Sequence, residues 1–199
     1  MKSEAVIRAY RQTVRAEAAA ETHRRIIAAF LRQAQEGWID EITLDEVARE
    51  AEVTVQTVIR RFGGKEGLLI AAHQHLSAEV LPRRSAPSGD IKAGLKALVG
   101  DYEVIGDIFI RLLAQEPRYP LLGKLLNRGR TEHRQWVAGL FAPWLESLPR
   151  VRRERRLTAL IAVCDIYTWK LLRRDLRQKP AKVAAVLHDL ATGLIGGKQ

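Results

Sequence analysis

The sequence predicts an all-α protein made of two helical units. Apolar residues recur at spacings of three and four along most of the 199 residues, and no segment alternates between apolar and polar residues as a half-buried strand would. The stretch PRRSAPSGD at 82–90 interrupts this pattern, because its prolines, serines and glycine disfavour helix. We therefore expect one unit over residues 1–81, a linker over 82–90 and a second unit over 91–199.

The composition points to a protein of the reducing cytoplasm. A single cysteine, Cys164, cannot form an internal disulfide, and the start MKSEAVIRAYRQ lacks the apolar segment of a secretory signal. No apolar run approaches the roughly 18 residues that predict a membrane span. At this length the chain can bury a core without disulfides or a structural metal.

The net charge of +10 is compatible with a nucleic-acid partner but does not locate the contact. Up to Val80 there are 11 Lys and Arg against 12 Asp and Glu, a net charge of −1, so the remaining 22 and 11 give the rest of the chain +11. Within residues 54–65, however, Arg60, Arg61 and Lys65 occur without any acidic residue. This short segment is where the local charge favours a phosphate backbone.

The first helix is predicted from an apolar stripe that ends near Gly37. Ile27, Phe30, Leu31 and Ala34 share one helical face. The alanine-rich residues 1–20 are expected to extend this helix backward or to fray.

Two short helices follow, each with a clear N-terminal cap. Thr43 and Glu46 have the spacing of a capping box, in which each side chain accepts a hydrogen bond from a backbone N–H of the other residue. Thr54 is a second N-cap, after a turn that includes Glu52. Helices this short are unstable alone, so they must pack against their neighbours. Such a closely spaced pair with a basic outer face predicts a helix-turn-helix, although a solvated helix pair in an ordinary bundle has the same pattern.

The second of these helices is the predicted DNA-reading helix. Val58 and Phe62 point inward, which places the polar residues of the helix on or near the opposite face. An α-helix fits the major groove, where Gln can pair with adenine, a valine can contact a thymine methyl group, and Arg can bind guanine or phosphate. Lys65, at the start of the next helix, is expected to anchor a phosphate. The predicted DNA-binding residues are Thr43, Thr54, Val55, Gln56, Thr57, Arg60, Arg61 and Lys65.

Helical spacing continues through the second unit. One helix is predicted from Ile91 to about Ile105, and another from about Leu122 to Leu145 with a bend near Gly129 or Pro143. Residues 151–172 leave almost no polar face, which is typical of a helix that is covered on two sides. One side of that helix can face its own core and the other a second subunit. Pro180 is expected to begin the last helix, which ends before Gly196 and Gly197.

The segments IIAAFLRQAQEGW, TLDEVAREAEV and TVQTVIRRFGGKEGLL resemble the TetR family of bacterial transcriptional regulators. The detailed match covers Arg24 to Leu69, and WKLLRRDL at 169–176 with the final helix resembles the dimerising end of the family. The resemblance implies a homodimer through the last two long helices, bound to a double-stranded DNA operator as a repressor. It also implies a small-molecule effector that binds in the core of the second unit and releases the DNA.

Candidates for the effector pocket are the aromatic residues of the second unit together with two polar ones. Aromatic residues at helical spacing are ordinarily core, and Asp165 in an apolar helix is ordinarily bound to an arginine or a backbone group. The candidates are Tyr102, Phe109, His133, Trp136, Trp144, Asp165, Tyr167 and Trp169.

Two residues depart from the family pattern. Glu52 occupies a turn position that is usually glycine, which requires either strain or a turn without positive φ. Ile59 occupies a position that is usually a tyrosine whose hydroxyl contacts phosphate, and isoleucine cannot donate a hydrogen bond.

Two other classes of function compete with a ligand-responsive regulator. One is an architectural or chromosome-organising DNA-binding protein of the same fold, with a protein partner in place of the effector. The other is a helical-bundle enzyme or carrier, but no phosphate-binding loop, zinc pattern or nucleophile motif supports catalysis. His73 and His75 are two residues apart and cannot share a helix face, so we expect no metal site there. We also expect no cofactor.

Overall fold

The computed structural model describes residues 2–196, and these residues contain ten α-helices and no strand. The all-α prediction is therefore confirmed. Met1 and residues 197–199, including the predicted helix-ending Gly197, lie outside the described part. The chain divides into two compact units, residues 1–75 and residues 76–199. No helix within residues 2–196 is both long and apolar enough to cross a membrane.

The first unit is built from four helices. The first, α1, includes the alanine-rich extension and is a single helix of 35 residues. The helices are α1 (Lys2–Glu36), α2 (Leu44–Glu50), α3 (Val55–Phe62) and the first part of α4 (Lys65–Arg83). Their shared core contains the apolar stripe predicted for α1, with Phe30 and Ala34 buried, together with Val47, Val58 and Leu68. Helices as short as α2 and α3 are thus stabilised by packing on α1 and α4.

The helix α4 extends further than the sequence predicts. It ends at Arg83 and includes Pro82, so the first two residues of the predicted linker are helical although its prolines disfavour helix. Pro82 has no N–H to donate, but its carbonyl oxygen still accepts a hydrogen bond from the Ser85 N–H at 3.3 Å. The compact units divide between His75 and Leu76, inside α4 and six residues before the predicted boundary.

The second unit is built around its first helix, residues 91–115, which packs against the helices that follow it. Leu95, Leu98 and Tyr102 of this helix are buried in a core that also includes Leu160 and Leu187. The helices are α5 (Ile91–Gln115), α6 (Pro120–Leu140), α7 (Ala142–Leu145), α8 (Arg150–Cys164), α9 (Ile166–Lys170) and α10 (Pro180–Gly196). The start of α10 at Pro180 is confirmed.

Two long helices of the prediction are broken in the structure. The helix expected over 122–145 is interrupted at Phe141, which has φ −99° and ψ 12°. This break lies two residues before Pro143, near the second of the two expected positions, and the helix continues through Gly129. The helix expected over 151–172 ends at Cys164, because Asp165 adopts an extended conformation with ψ 148°. Asp165 instead caps α9, its carboxylate accepting a hydrogen bond from the Tyr167 N–H at 2.8 Å. A single π-helical turn, Leu171–Asp175, follows α9.

Candidate nucleic-acid interface and the polar cluster of the second unit

The beginning of α2 is fixed by the predicted capping box. The Glu46 N–H donates to Thr43 Oγ1 at 3.2 Å, and the Thr43 N–H donates to Glu46 Oε2 at 3.2 Å. The Thr43 hydroxyl also donates to Glu46 Oε2 at 2.8 Å, and these bonds from Thr43 lower the pKa of the Glu46 carboxyl. The capping box is confirmed.

The ends of α3 are also well defined. The Thr54 hydroxyl accepts a hydrogen bond from the Thr57 N–H at 3.2 Å, which confirms Thr54 as the N-cap. Gly63 ends the helix in the left-handed region with φ 75°, where glycine has no steric penalty. At the far end of α3 the ring of Phe62 stacks on His23 of α1 at 4.8 Å. These contacts orient a helix that would not form alone.

The outer face of α3 is narrower than the sequence predicts. Gln56 and Arg60 are exposed, as expected for residues opposite the buried Val58. Thr57 and Arg61 are half-buried at the edges of that face, and Thr57 Oγ1 lies 3.0 Å from Thr54 Oγ1. The difference arises because an α-helix advances 100° per residue. Thr57 and Arg61 each lie one residue, or 100°, from Val58 or Phe62 and so border the inner face, whereas Gln56 and Arg60 lie two residues, or 200°, away and face outward.

Two more residues complete the description of this face. Val55 is half-buried at the start of α3. Ile59, at the position where the family usually has tyrosine, is 41% exposed on the outer side. An exposed isoleucine between polar neighbours can contact sugar or thymine methyl groups but cannot donate to phosphate.

Lys65 contacts the protein itself. Its ammonium group donates to the Asp40 carbonyl oxygen at 2.7 Å, which joins the start of α4 to the loop after α1. Partial burial lowers the pKa of Lys65, and the Asp40 carboxylate acts in the opposite direction. A lysine has three donors, so this bond leaves capacity for a phosphate contact.

The junction between α3 and α4 requires glycine at position 67. A Cβ placed on Gly67 would lie 1.7 Å from the carbonyl oxygen of Phe62 and 2.9 Å from its carbonyl carbon. Because both atoms belong to the backbone, they cannot move aside as a side chain would. Gly67 therefore permits the close turn that places Lys65 next to the end of α3.

The turn between α2 and α3 contains backbone strain. Glu52 has φ 54°, in the left-handed region that disfavours residues with a side chain. Of the two possibilities stated from the sequence, strain is therefore the one observed. The Glu52 carboxylate lies 3.4 Å from Arg25 Nη1 of α1, in an exposed pair that contributes little stability.

A second connection fixes the C-terminal end of α2 to α1. Glu50 accepts hydrogen bonds from Arg32 Nε at 2.5 Å and from Gln33 Nε2 at 2.7 Å. Burial raises the pKa of Glu50, but these hydrogen bonds outweigh it and lower the pKa. The end of α2 and the turn that follows it are thus both held to α1.

The structure brings some of the predicted pocket residues together in the second unit. Tyr102 and Trp136 both lie close to the Arg84 guanidinium, whose carbon is 4.8 Å and 5.9 Å from the two ring centroids. His133 stacks on Trp136 at 6.1 Å, and its Nδ1 lies 3.2 Å from Arg84 Nη1. The Tyr102 hydroxyl donates to the Cys164 carbonyl oxygen at 3.0 Å.

The other predicted pocket residues have different surroundings. Trp169 is fully buried and donates from Nε1 to Glu103 Oε1 at 3.1 Å. Trp144 packs against Phe141, and Phe109 is half-buried on α5. Tyr167 is 54% exposed, on the side of α9 away from the core. Asp165 is bound to a backbone N–H as a cap, which confirms the structural interpretation given for it.

Sequence reasoning did not identify Arg84 and Asp101, which are 6% and 1% exposed. Asp101 accepts from Arg84 Nε at 2.6 Å and from Arg83 Nε at 2.7 Å. The sequence did contain a signal for this pair, because Asp101 occupies a core position in the apolar stripe of α5. A buried carboxylate requires hydrogen-bonding or charged partners, so its position predicts a basic residue nearby. Arg84 itself had been placed in the solvated linker.

The electrostatics of this cluster hold His133 neutral. Burial is the main cause, and the positive charge of Arg84 adds to it, so that the pKa of His133 falls to about 4. Burial likewise raises the pKa of the Cys164 thiol to about 12, consistent with an inert buried cysteine. Within residues 2–196 no group of three or more histidine, cysteine or acidic side chains is arranged to hold a metal ion.

Comparison with known proteins agrees with this arrangement. The sequence model described as bacterial regulatory proteins of the tetR family matches residues 26–72. These residues contain the end of α1, all of α2 and α3, and the first part of α4. The HTH-type transcriptional regulator BetI of Burkholderia mallei is 31% identical over 174 residues, which cover 82% of this chain and 86% of that protein. BetI of Burkholderia ambifaria is 29% identical over 151 residues, or 71% and 77% of the two chains.

Solved structures share the fold over most of the chain. A transcriptional regulator from Rhodococcus sp. superposes with a TM-score of 0.67 at 20% identity, covering 87% of this chain and 95% of that one. A TetR-family transcriptional regulator from Streptomyces coelicolor gives 0.64 at 23% identity, covering 88% and 79%. The capped helix pair, the family match and the relatedness over most of the chain identify this protein as a member of the TetR family, a DNA-binding transcriptional regulator and not an enzyme.

Proposed function

We propose that the protein is a dimeric repressor that leaves a palindromic operator when a small-molecule effector binds to the second unit. The proposed DNA binding rests on the outer face of α3, where Gln56 and Arg60 are exposed on a helix that is capped at both ends. In the major groove these two side chains would read base edges, and Thr43, Thr54 and Lys65 would lie near phosphates. Because the partner is chromosomal DNA, the proposed location is the cytoplasm.

The exposed apolar surface of the second unit supports the dimer. Large apolar side chains remain exposed in the last third of the chain, which is unusual for a monomer when they are contiguous. They are Val151, Tyr167, Leu171, Leu176 and Leu190. We propose that α8, α10 and the segment between them pair with a second copy around a two-fold axis. Two α3 helices would then enter successive major grooves about 34 Å apart.

Effector release is supported by the polar cluster in the second unit. A buried arginine flanked by Tyr102, His133 and Trp136 has the mixed aromatic and polar character of small-molecule sites. A ligand that binds more tightly to a dimer whose α3 helices do not match successive major grooves would shift the population away from the form that binds DNA.

Selection of duplexes from a random pool, followed by release assays on the selected operator, tests this proposal. A palindromic consensus, a protein-to-site ratio of two and release by a metabolite are the expected results. The architectural alternative predicts weak sequence preference and no release by any small molecule. A monomer on a single half-site would contradict the dimer. A reporter with the operator placed over the promoter distinguishes repression from activation.

A further inference from the structure

The buried polar cluster around Arg84 contains more hydrogen-bond donors than acceptors. We define the Arg84 cluster by six residues of the second unit: Arg83, Arg84, Asp101, Tyr102, His133 and Trp136. Both carboxylate oxygens of Asp101 accept from arginine, Oδ1 from Arg83 Nε at 2.7 Å and Oδ2 from Arg84 Nε at 2.6 Å. The indole N–H of Trp136 can only donate, and it donates to the Arg84 carbonyl oxygen at 2.9 Å.

The hydrogen bond between Arg84 and His133 fixes the state of the imidazole. A guanidinium group can only donate, so His133 Nδ1 must accept the hydrogen bond across 3.2 Å. A histidine that accepts at Nδ1 carries its proton on Nε2. Nε2 is therefore a donor, and it is buried without a hydrogen-bond partner among the described residues. Arg83 Nη2 is a second buried donor that has no hydrogen-bond partner among the described residues.

Buried polar groups are ordinarily hydrogen-bonded, so unpaired donors at one cluster call for an external acceptor. Charge favours an anion in that role. The guanidinium groups of Arg83 and Arg84 share the single buried carboxylate of Asp101. Arg83 has a second acidic partner, Glu79, at 2.6 Å, but the Glu79 side chain is 55% exposed. Arg84, almost fully buried, has no carboxylate to itself. A cation would be repelled by the positive charge of the Arg84 guanidinium.

We propose that the Arg84 cluster binds the carboxylate of a small organic acid, with His133 Nε2 donating to one carboxylate oxygen and the rings of Tyr102 and Trp136 packing on the apolar part. This assignment rests on the proposed effector-responsive function and names the chemical class of the effector. A monoanion suits a site where two guanidinium groups share one buried carboxylate, that of Asp101, whereas a phosphate brings roughly −1.5 to −2.

The test compares acids with their uncharged amides on the full-length protein. Phenylacetate and octanoate are titrated against phenylacetamide and octanamide by calorimetry, with inorganic phosphate as a further arm. We expect the acids to bind at least about tenfold more tightly than the amides, because a buried hydrogen bond to a charged group is lost in the amide. Equal affinities, or no binding of either acid, would overturn the assignment. Binding of phosphate alone would overturn the choice of a carboxylate.

Substitutions of His133 test the role of its Nε2–H. His133→Phe keeps a ring beside Trp136 but removes the donor, so acid binding should fall about tenfold to the level of the amide. His133→Gln returns a donor and should recover part of the loss. His75→Phe, at an exposed position of the first unit, is the matched control and should bind as the wild type does. Undiminished acid binding by His133→Phe would contradict the proposal.

A measurement on the wild-type protein keeps the proposal testable if His133→Phe does not fold. Imidazole nitrogen NMR should show His133 neutral with the proton on Nε2 at pH 7, and its Nε2 signal should shift when phenylacetate is added. A proton on Nδ1, or no shift at saturating acid, would be decisive against it. Release assays distinguish failure of the proposed function from failure of the carboxylate assignment. If an acid binds but the protein stays on the DNA, effector release is disproved and the carboxylate assignment stands. If only an uncharged compound releases the DNA, the carboxylate assignment is disproved and effector release stands.

Discussion

The ammonium group of Lys65 donates a hydrogen bond to the carbonyl oxygen of Asp40 across 2.7 Å, joining residues 25 positions apart. Lys65→Ala should therefore lower the free energy of unfolding of the first unit by about 1 kcal/mol. If Lys65 also anchors a phosphate, the slope of log affinity against log salt should decrease by about 1 for all DNA sequences. Loss of stability with an unchanged slope would make Lys65 a purely structural contact.

Arg60 is the exposed arginine of α3, so Arg60→Ala should weaken operator binding by about 1 to 3 kcal/mol if Arg60 reads a base. Gel-shift titrations against the operator and a scrambled duplex measure the loss and its sequence dependence. Arg61→Ala should have a smaller effect, because Arg61 is half-buried. Arg128→Ala in the second unit removes the same charge and is the control. Equal affinities of Arg60→Ala and wild type would remove Arg60 from the interface.

The capping box at α2 should be visible in stability. Thr43→Ala removes the hydroxyl that accepts from the Glu46 N–H and should cost about 1 kcal/mol, measured by thermal or denaturant unfolding. Thr131→Ala is a suitable comparison, because the Thr131 hydroxyl bonds to the Asn127 carbonyl inside α6 and caps no helix. A melting temperature unaffected by Thr43→Ala would show that the cap contributes nothing.

Glu52→Gly should stabilise the first unit. Replacing a left-handed glutamate by glycine removes about 1 to 2 kcal/mol of backbone strain, and the greater freedom of the unfolded chain returns up to about 1 kcal/mol of this gain. The net increase should be about 0.5 to 1 kcal/mol in denaturant titrations. Glu66→Gly, in the first turn of α4, should instead destabilise by a similar amount. Destabilisation by Glu52→Gly would mean that its contact with Arg25 outweighs the strain.

His133 should make stability depend on pH between about 6.5 and about 4. The folded state resists protonation of His133, whereas the unfolded chain takes up the proton near its ordinary pKa. The contribution is therefore fully present above about 6.5 and is lost, by up to roughly 1.4 kcal/mol per pH unit, as the pH falls towards 4. Denaturant titrations of His133→Phe should show a flatter profile over this range. A profile as steep as that of the wild type would assign the loss to other groups.

Local signals in the sequence were sufficient to place α2 and α3. Thr43 and Glu46, Thr54, and the spacing of Val58 and Phe62 fix the ends and inner faces of α2 and α3, because a cap or a helical face depends on residues three or four positions apart. The same periodicity established the all-α class and the core positions of α5 and α10. Where a local rule was misapplied, at Pro82 or Asp165, the error concerned where a helix ends.

The tertiary structure alone decided the contacts between residues distant in the chain. Arg84 meets Asp101 across 17 positions and His133 across 49, and no periodicity predicts such pairs. It also decided that Arg61 is half-buried while Arg60 is exposed, since exposure at the edge of a helical face depends on how neighbouring helices approach. The sequence by itself determined which segments are helical and which face turns inward. Packing determined which polar groups are buried together, because burial is a property of assembled surfaces and not of local spacing.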